Sequence, residues 1–187
     1  MAVLLILAAA AAVLTVWAIL IYNGLVGARN EVKNCWSQID VQLKRRHDLI
    51  PNLVEAVRGY MKHEAGLLAE ITAARARATQ AAGGGMAGAA SVGVAEGLLG
   101  GALAQLFVAA EAYPDLKAST NFLALQEQLA STENRIAFAR QAYNDAVGAY
   151  NTRRETFPNN LVAGGFARAE FLVIEQAAER ALPKVEV

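Results

Sequence analysis

From Met1 to Tyr22 the chain carries no charged side chain, and the first charge does not come until Arg29. At about 1.5 Å per residue such a run reaches roughly 33 Å as a helix, which matches the roughly 30 Å hydrocarbon layer of a bilayer. Eleven strongly apolar residues between Val3 and Ile21 each favour insertion by about 0.3 to 0.6 kcal/mol. Only Thr15 opposes them, so residues 1–22 are expected to form a transmembrane helix. A cleaved secretory signal would start with cations and carry a shorter apolar stretch. No Lys or Arg precedes this run, although the Ala8 to Ala12 block resembles a cleavage site and is small enough for two spans to approach closely. Trp17 and Tyr22 lie towards one end, where interfacial aromatics belong. Arg29, Lys33, Lys44, Arg45 and Arg46 all follow the run, so the positive-inside rule predicts an outside N-terminus and a cytoplasmic remainder.

About 165 residues are left, enough for one domain with its own core. Residues 23–187 are therefore read as a single unit. Charge is balanced at 17 cations and 17 anions, and the only dense basic cluster is Lys44-Arg45-Arg46. Nucleic-acid binding, which wants a clustered basic face, is not expected. The single Cys35 offers no disulfide and no zinc spacing.

Steps of three and four from Tyr22 pass through Leu25, Val32, Trp36, Ile39, Leu43, Ile50, Leu53, Val57, Leu67 and Ile71 to Ala78. This repeat predicts one long helix continuous with the span and packed along a seam. Pro51 removes the bond to the carbonyl of His47, which predicts a kink or short break near 47–51. A second repeat runs from Phe122 through Leu125, Leu129, Ile136, Tyr143 and Tyr150 to Phe157, with Ser119 as N-cap and Pro158 at the end. Between the two repeats, residues 83–101 hold eight glycines and are expected to be a flexible linker. A shorter stripe from Leu99 to Tyr113 halts at Pro114, and a last amphipathic helix is expected around Phe166 to Leu182 with Phe171, Ile174 and Ala178 on one side. Strand alternation is confined to the tail Lys184 to Val187. The expected class is all-α: a transmembrane helix continuing into an antiparallel bundle of long helices with coiled-coil-like packing.

Reactive constellations are weak. His47 and His63 lie about 160° apart around a continuous helix and cannot share a metal, so both are read as solvated or capping groups. Glycines 83–85 lack the preceding strand and the following Gly-Lys-Ser/Thr of a phosphate loop. Lys44-Arg45-Arg46 stands roughly 30 Å beyond the bilayer edge, too far for headgroups, so pairing with acids of neighbouring helices is expected. Residues 78–110 contain one charge, Glu96, and read as a bundle helix plus loop rather than a second span.

Several segments together carry a resemblance: Trp36-Ser37-Gln38-Ile39-Asp40-Val41-Gln42-Leu43-Lys44-Arg45-Arg46, His47-Asp48-Leu49-Ile50-Pro51-Asn52-Leu53-Val54, Tyr113-Pro114-Asp115-Leu116, Thr132-Glu133-Asn134-Arg135-Ile136, Tyr143-Asn144 and Phe157-Pro158. From about residue 22 to the C-terminus the chain resembles the LemA family of bacteria. The resemblance implies a membrane-anchored helical bundle, with relatives implicated in membrane organisation, and supplies no catalytic residues. The glycine-rich stretch and Cys35 depart from the family pattern.

These readings point to a structural or interaction protein of the bacterial cytoplasmic membrane that touches the lipid bilayer, self-associates into a homo-oligomer, organises membrane or partner proteins and uses no cofactor. Trp36, Asp40, Lys44, Arg45, Arg46, His47, Asp48 and Arg135 are its candidate interaction or polar-network residues. A ligand-binding or enzymatic bundle would instead gather Asp40, Arg46, His47, Asp48 and Arg135 around an interior site with shifted pKa values. A third reading is a membrane-bending assembly.

Overall fold

The computed structural model describes residues 1–174. Helix α1 runs from Ala2 to Arg58, α2 from Ala65 to Ala82, α3 from Ala89 to Ala110, the single turn α4 from Pro114 to Lys117, and α5 from Thr120 to Glu155. Among the described residues the fold is all-α, as the periodicity requires. The apolar half of α1 extends beyond the bundle, with Val3, Leu7, Leu14 and Leu20 exposed. Beyond Tyr22 the same helix buries Leu25, Val32, Trp36, Ile39, Leu43, Ile50, Leu53 and Val57 along the expected seam. Helix α5 packs antiparallel on that seam, its Tyr143 ring edge-on to Trp36 at 5.2 Å and its Arg153 beside Gly24. Its start is capped as expected, the Ser119 hydroxyl accepting from the Phe122 N–H.

The first repeat does not form one helix to Ala78. Residues 59–64 turn, with Met61 leaving helical geometry, and α2 folds back on α1 so that Leu68, Ile71, Ala74 and Ala78 bury their stripe there. A seven-residue period is blind to such a turn, because the same spacing suits two antiparallel helices. At Pro51 the helix is unbroken. The His47 carbonyl that Pro51 leaves without its helical partner accepts instead from Arg75 Nε of α2 at 2.6 Å, so a side chain replaces the missing backbone donor.

The glycine-rich stretch is a second departure. Only residues 83–88 are a turn; from Ala89 onward the chain is helical. The reason is visible at two glycines. A Cβ at Gly93 would fall 2.1 Å from the carbonyl oxygen of Val173, and one at Gly100 would fall 3.1 Å from Arg46 Nη2. These glycines let a backbone and a guanidinium approach α3 closely, which outweighs the roughly 1 kcal/mol per residue that glycine costs a helix.

Residues 166–174, expected in a helix, form an extended strap along α5; residues 175–182 of that expected helix and the tail 184–187 lie outside the described residues. Asn144 donates to the Leu172 carbonyl at 3.1 Å and accepts from the Leu172 N–H at 2.9 Å. One heptad on, Asn151 makes the same pair with Ala169, at 2.9 and 3.0 Å. The hydroxyls of Tyr143 and Tyr150 donate to the carbonyls of Glu170 and Ala167. The register has a simple origin: seven helical residues rise about 10.5 Å and three extended ones span about 10 Å. An Ala-Tyr-Asn repeat at 142–144 and 149–151 therefore meets every third strap residue.

Candidate functional site

Two apolar clusters fill the bundle. The one nearer the exposed half of α1 contains Leu25, Trp36, Leu43, Val92, Ile136, Tyr143, Tyr150 and Phe166. The distant one contains Ile50, Leu53, Ile71, Leu99, Leu106 and Leu129. Between them lies one polar layer, about a turn thick on each long helix. On α1 it is Arg46 and His47, between Leu43 and Ile50; on α3 Glu96, between Val92 and Leu99; on α5 Thr132 and Glu133, between Leu129 and Ile136.

Glu96 has no exposed surface and is the centre of this layer. Its Oε1 accepts from His47 Nε2 at 2.6 Å, and its Oε2 lies 3.4 Å from Arg46 Nη1. The same Nη1 reaches Glu133 Oε2 at 3.1 Å, and Glu133 is partly open to solvent. His47 Nδ1 lies 3.4 Å from the Thr79 hydroxyl of α2. Thr132 is fully buried and returns its hydroxyl to the Gln128 carbonyl at 2.7 Å. Every long helix thus contributes, and the buried carboxylate is held by two nitrogen donors, as a charge taken out of water must be.

A groove of about 380 Å³ opens beside the layer, between α3 and α5, with Arg46 and Glu133 at its polar side and Leu103, Phe107, Leu129 and Ile174 on its walls. Gly97, Gly100 and Gly101 form part of its floor, so small residues create the space.

Of the residues singled out in the sequence, the fold brings Arg46 and His47 together. Asp40, Lys44, Arg45, Asp48 and Arg135 are exposed and do not join them. Trp36 is buried in the aromatic cluster against Tyr143. The expectation of ion pairing for the basic triplet holds for Arg46, whose acids come from α3 and α5. His47 is not solvated; it is 4% exposed and faces Glu96. Glu96 was overlooked although its signal was present, since a lone charge in a 33-residue apolar run cannot easily be left facing an apolar partner.

Two further groups feel their surroundings. Burial raises the Tyr143 hydroxyl to about 12, helped by the negative charge of Glu170. Burial also pushes the Cys35 thiol up, with Glu31 one turn away adding its charge and a 3.9 Å contact. Both effects disfavour the ionised form.

Comparison with known proteins agrees with the bundle. A model of the LemA family matches residues 35–187. The magnetosome protein MamQ 2 of Paramagnetospirillum magneticum is 26% identical over 181 residues, covering 84% of this chain and 66% of that protein. MamQ of Magnetospirillum gryphiswaldense is 25% identical, covering 80% and 64%. The protein LemA of Metamycoplasma hominis is 29% identical over 143 residues, covering 75% and 63%. The chain spans just under two thirds of the length of these relatives.

Proposed function

The chain belongs to the LemA family, and from that premise we propose that it is a membrane-anchored structural protein. In this reading α1 crosses the bacterial cytoplasmic membrane once, with its N-terminus outside, and holds the bundle on the cytoplasmic side. Copies of the bundle associate there and organise membrane or partner proteins, without catalysis.

The observation that carries the reading is the change of environment along one unbroken helix. Between Ala2 and Leu20 large apolar side chains are exposed on every side of α1, whereas from Leu25 onward the apolar residues fall mainly on one stripe, and that stripe is buried. A helix apolar all round needs an apolar solvent. The relatives' name, magnetosome protein, designates a structure rather than a reaction, which agrees with an organising role. For self-association the outer side of the α1 and α5 pair offers Val41 and Phe138, 62% and 74% exposed, around a shallow hollow.

The test is reconstitution of the full chain in nanodiscs with single-particle mass measurement, beside alkaline extraction of native membranes. The expected result is a chain that resists extraction and forms oligomers, which Phe138→Asp reduces to monomers. Release by alkali would remove the anchor, and a monomer at every concentration would remove self-association.

A further inference from the structure

A loop with two single 3₁₀ turns connects α5 to the strap. From Thr156 to Ala167 it holds twelve residues without a charge, unusual for a loop whose backbone belongs in water. Two of its large apolar side chains are not packed on the bundle: Phe157 is 74% exposed and Leu161 67%.

Its position is fixed by its neighbours. Helix α5 ends beside Gly24, whose carbonyl accepts from Arg153 Nη1 at 3.3 Å. The chain then continues past the bundle, along the exposed half of α1. Val162 shares a surface hollow with Leu14, Ala18, Ile19 and Tyr22, and the Phe166 ring meets Tyr22 edge-on at 5.3 Å.

Charge stops within about two helical turns of one level on all three elements. It begins on α1 at Arg29, ends on α5 with Arg153, Arg154 and Glu155, and resumes on the strap at Arg168. Arg29 and Arg168 line the same small hollow, and the Arg153 guanidinium reaches lowest, to Gly24. Below Gly24 both α1 and the loop are charge-free.

The backbone is also suited to a poorly hydrated setting. Residues 159–161 and 163–165 are single 3₁₀ turns. The N–H groups of Asn160, Leu161, Val162 and Phe166 donate within the loop to Thr156, Pro158, Asn159 and Ala163. Asn159 returns its side-chain amide to the Arg153 carbonyl at 2.9 Å. Internal pairing of this kind lowers the cost of leaving water.

We propose that this loop is a second membrane contact, with Phe157 and Leu161 entering the lipid interface beside α1. It rests on the reading of residues 2–22 as the span: if they cross the bilayer, residues 14–22 and the loop packed on them lie at its cytoplasmic edge. The occupant is lipid because the loop continues the same charge-free surface as the span. The bundle is then held at two points and does not swing on one helix.

Spin-label accessibility in nanodiscs tests this with the full chain carrying Cys35→Ala. Single labels go at Leu161→Cys and Phe157→Cys in the loop, at Leu7→Cys in the span, and at Glu70→Cys on the exposed side of α2. Collision with oxygen relative to a water-soluble nickel chelate should be several-fold higher at 7, 157 and 161 than at 70. Loop labels that behave like 70, with 7 still shielded from the chelate, would overturn the loop contact and leave the anchor intact. Chelate access at 7 as well would overturn the anchor reading and the loop contact with it.

Discussion

The two ends of the bundle are held together by different chemistry. At the distant end α1, α2, α3 and α5 bury aliphatic side chains such as Ile50, Ile71, Leu99 and Leu106 against one another. At the end nearer the apolar half of α1 the cluster is richer in aromatics, and the strap is fastened by side chains that bond its backbone. The distant core relies on area removed from water, about 25 cal/mol per Å², and tolerates reshaping. The strap relies on register, because each Tyr and Asn must meet a particular carbonyl or N–H. Contact area and register fail differently, and the polar layer between the two ends allows both to be probed.

The largest effect is expected at that layer. Glu96→Ala leaves Arg46 with only the half-exposed Glu133 and takes the partner from His47, so chemical denaturation should show a loss of about 3 kcal/mol or more. Replacing the trio together (Arg46→Met, His47→Leu, Glu96→Leu) removes the need for pairing. Stability should then return towards the parent value, as in other proteins where apolar groups replace a buried ion cluster. What the trio provides is alignment of three helices, so the triple variant should show broadened amide spectra. A triple variant as unstable as Glu96→Ala would contradict this account.

Next in size is the distant core itself. Leu106 is fully buried, and Leu106→Ala should cost about 2 to 5 kcal/mol through lost transfer energy and the cavity left behind. Hydrogen exchange should quicken in α2 and α3 while the strap's Leu172 N–H stays protected. Loss of that protection would mean that the two ends unfold as one.

Gly93→Ala probes the opposite end. Its new methyl group would sit 2.1 Å from the Val173 carbonyl oxygen, so the strap must lift from α3. Exchange at the Leu172 and Ala169 amides should accelerate, with the distant core unchanged and a global loss of about 1 to 3 kcal/mol. Asn144→Ala should reproduce that pattern with less disturbance of α3. A strap that remains protected in both variants would show that its side-chain ladder is dispensable.

The same contrast explains what was legible in the sequence. Hydropathy spacing reveals stripes, so the seams of α1 and α5 and the all-helical class follow from Leu25, Ile39, Leu43, Leu129 and Ile136. It does not reveal where a helix turns back, and the repeat through Leu67 and Ile71 reads the same on one helix or two. Glycine count suggests flexibility, yet Gly93 and Gly100 are there for close approach, which only the neighbouring Val173 and Arg46 disclose. At the candidate site Arg46 and His47 were among the residues singled out, but His47 was expected to be solvated or capping, and Glu96 is 50 positions from Arg46 with a role that depends on how α3 docks. The strap had a local signal after all, in the doubled Ala-Tyr-Asn one heptad apart, but its polar Asn residues do not count in a search for apolar periodicity.

The smallest expected change comes from a single hydroxyl of the ladder. Tyr143→Phe removes the bond to the Glu170 carbonyl and should cost about 1 kcal/mol at neutral pH. Its sharper signature lies at alkaline pH. Folding raises the Tyr143 hydroxyl from 10 to about 12, so the folded chain keeps this proton where the unfolded chain has lost it. The resulting stabilisation is complete below pH 10 and declines as pH rises from 10 through about 12. The difference in unfolding free energy between parent and Tyr143→Phe should therefore shrink as pH rises and change sign within that window, because an ionised Tyr143 would be held back by its apolar surroundings and by the charge of Glu170. Because other tyrosines and lysines titrate equally in both chains, the difference isolates this group. A constant difference from pH 9 to 12 would mean that Tyr143 does not stay protonated beneath the strap.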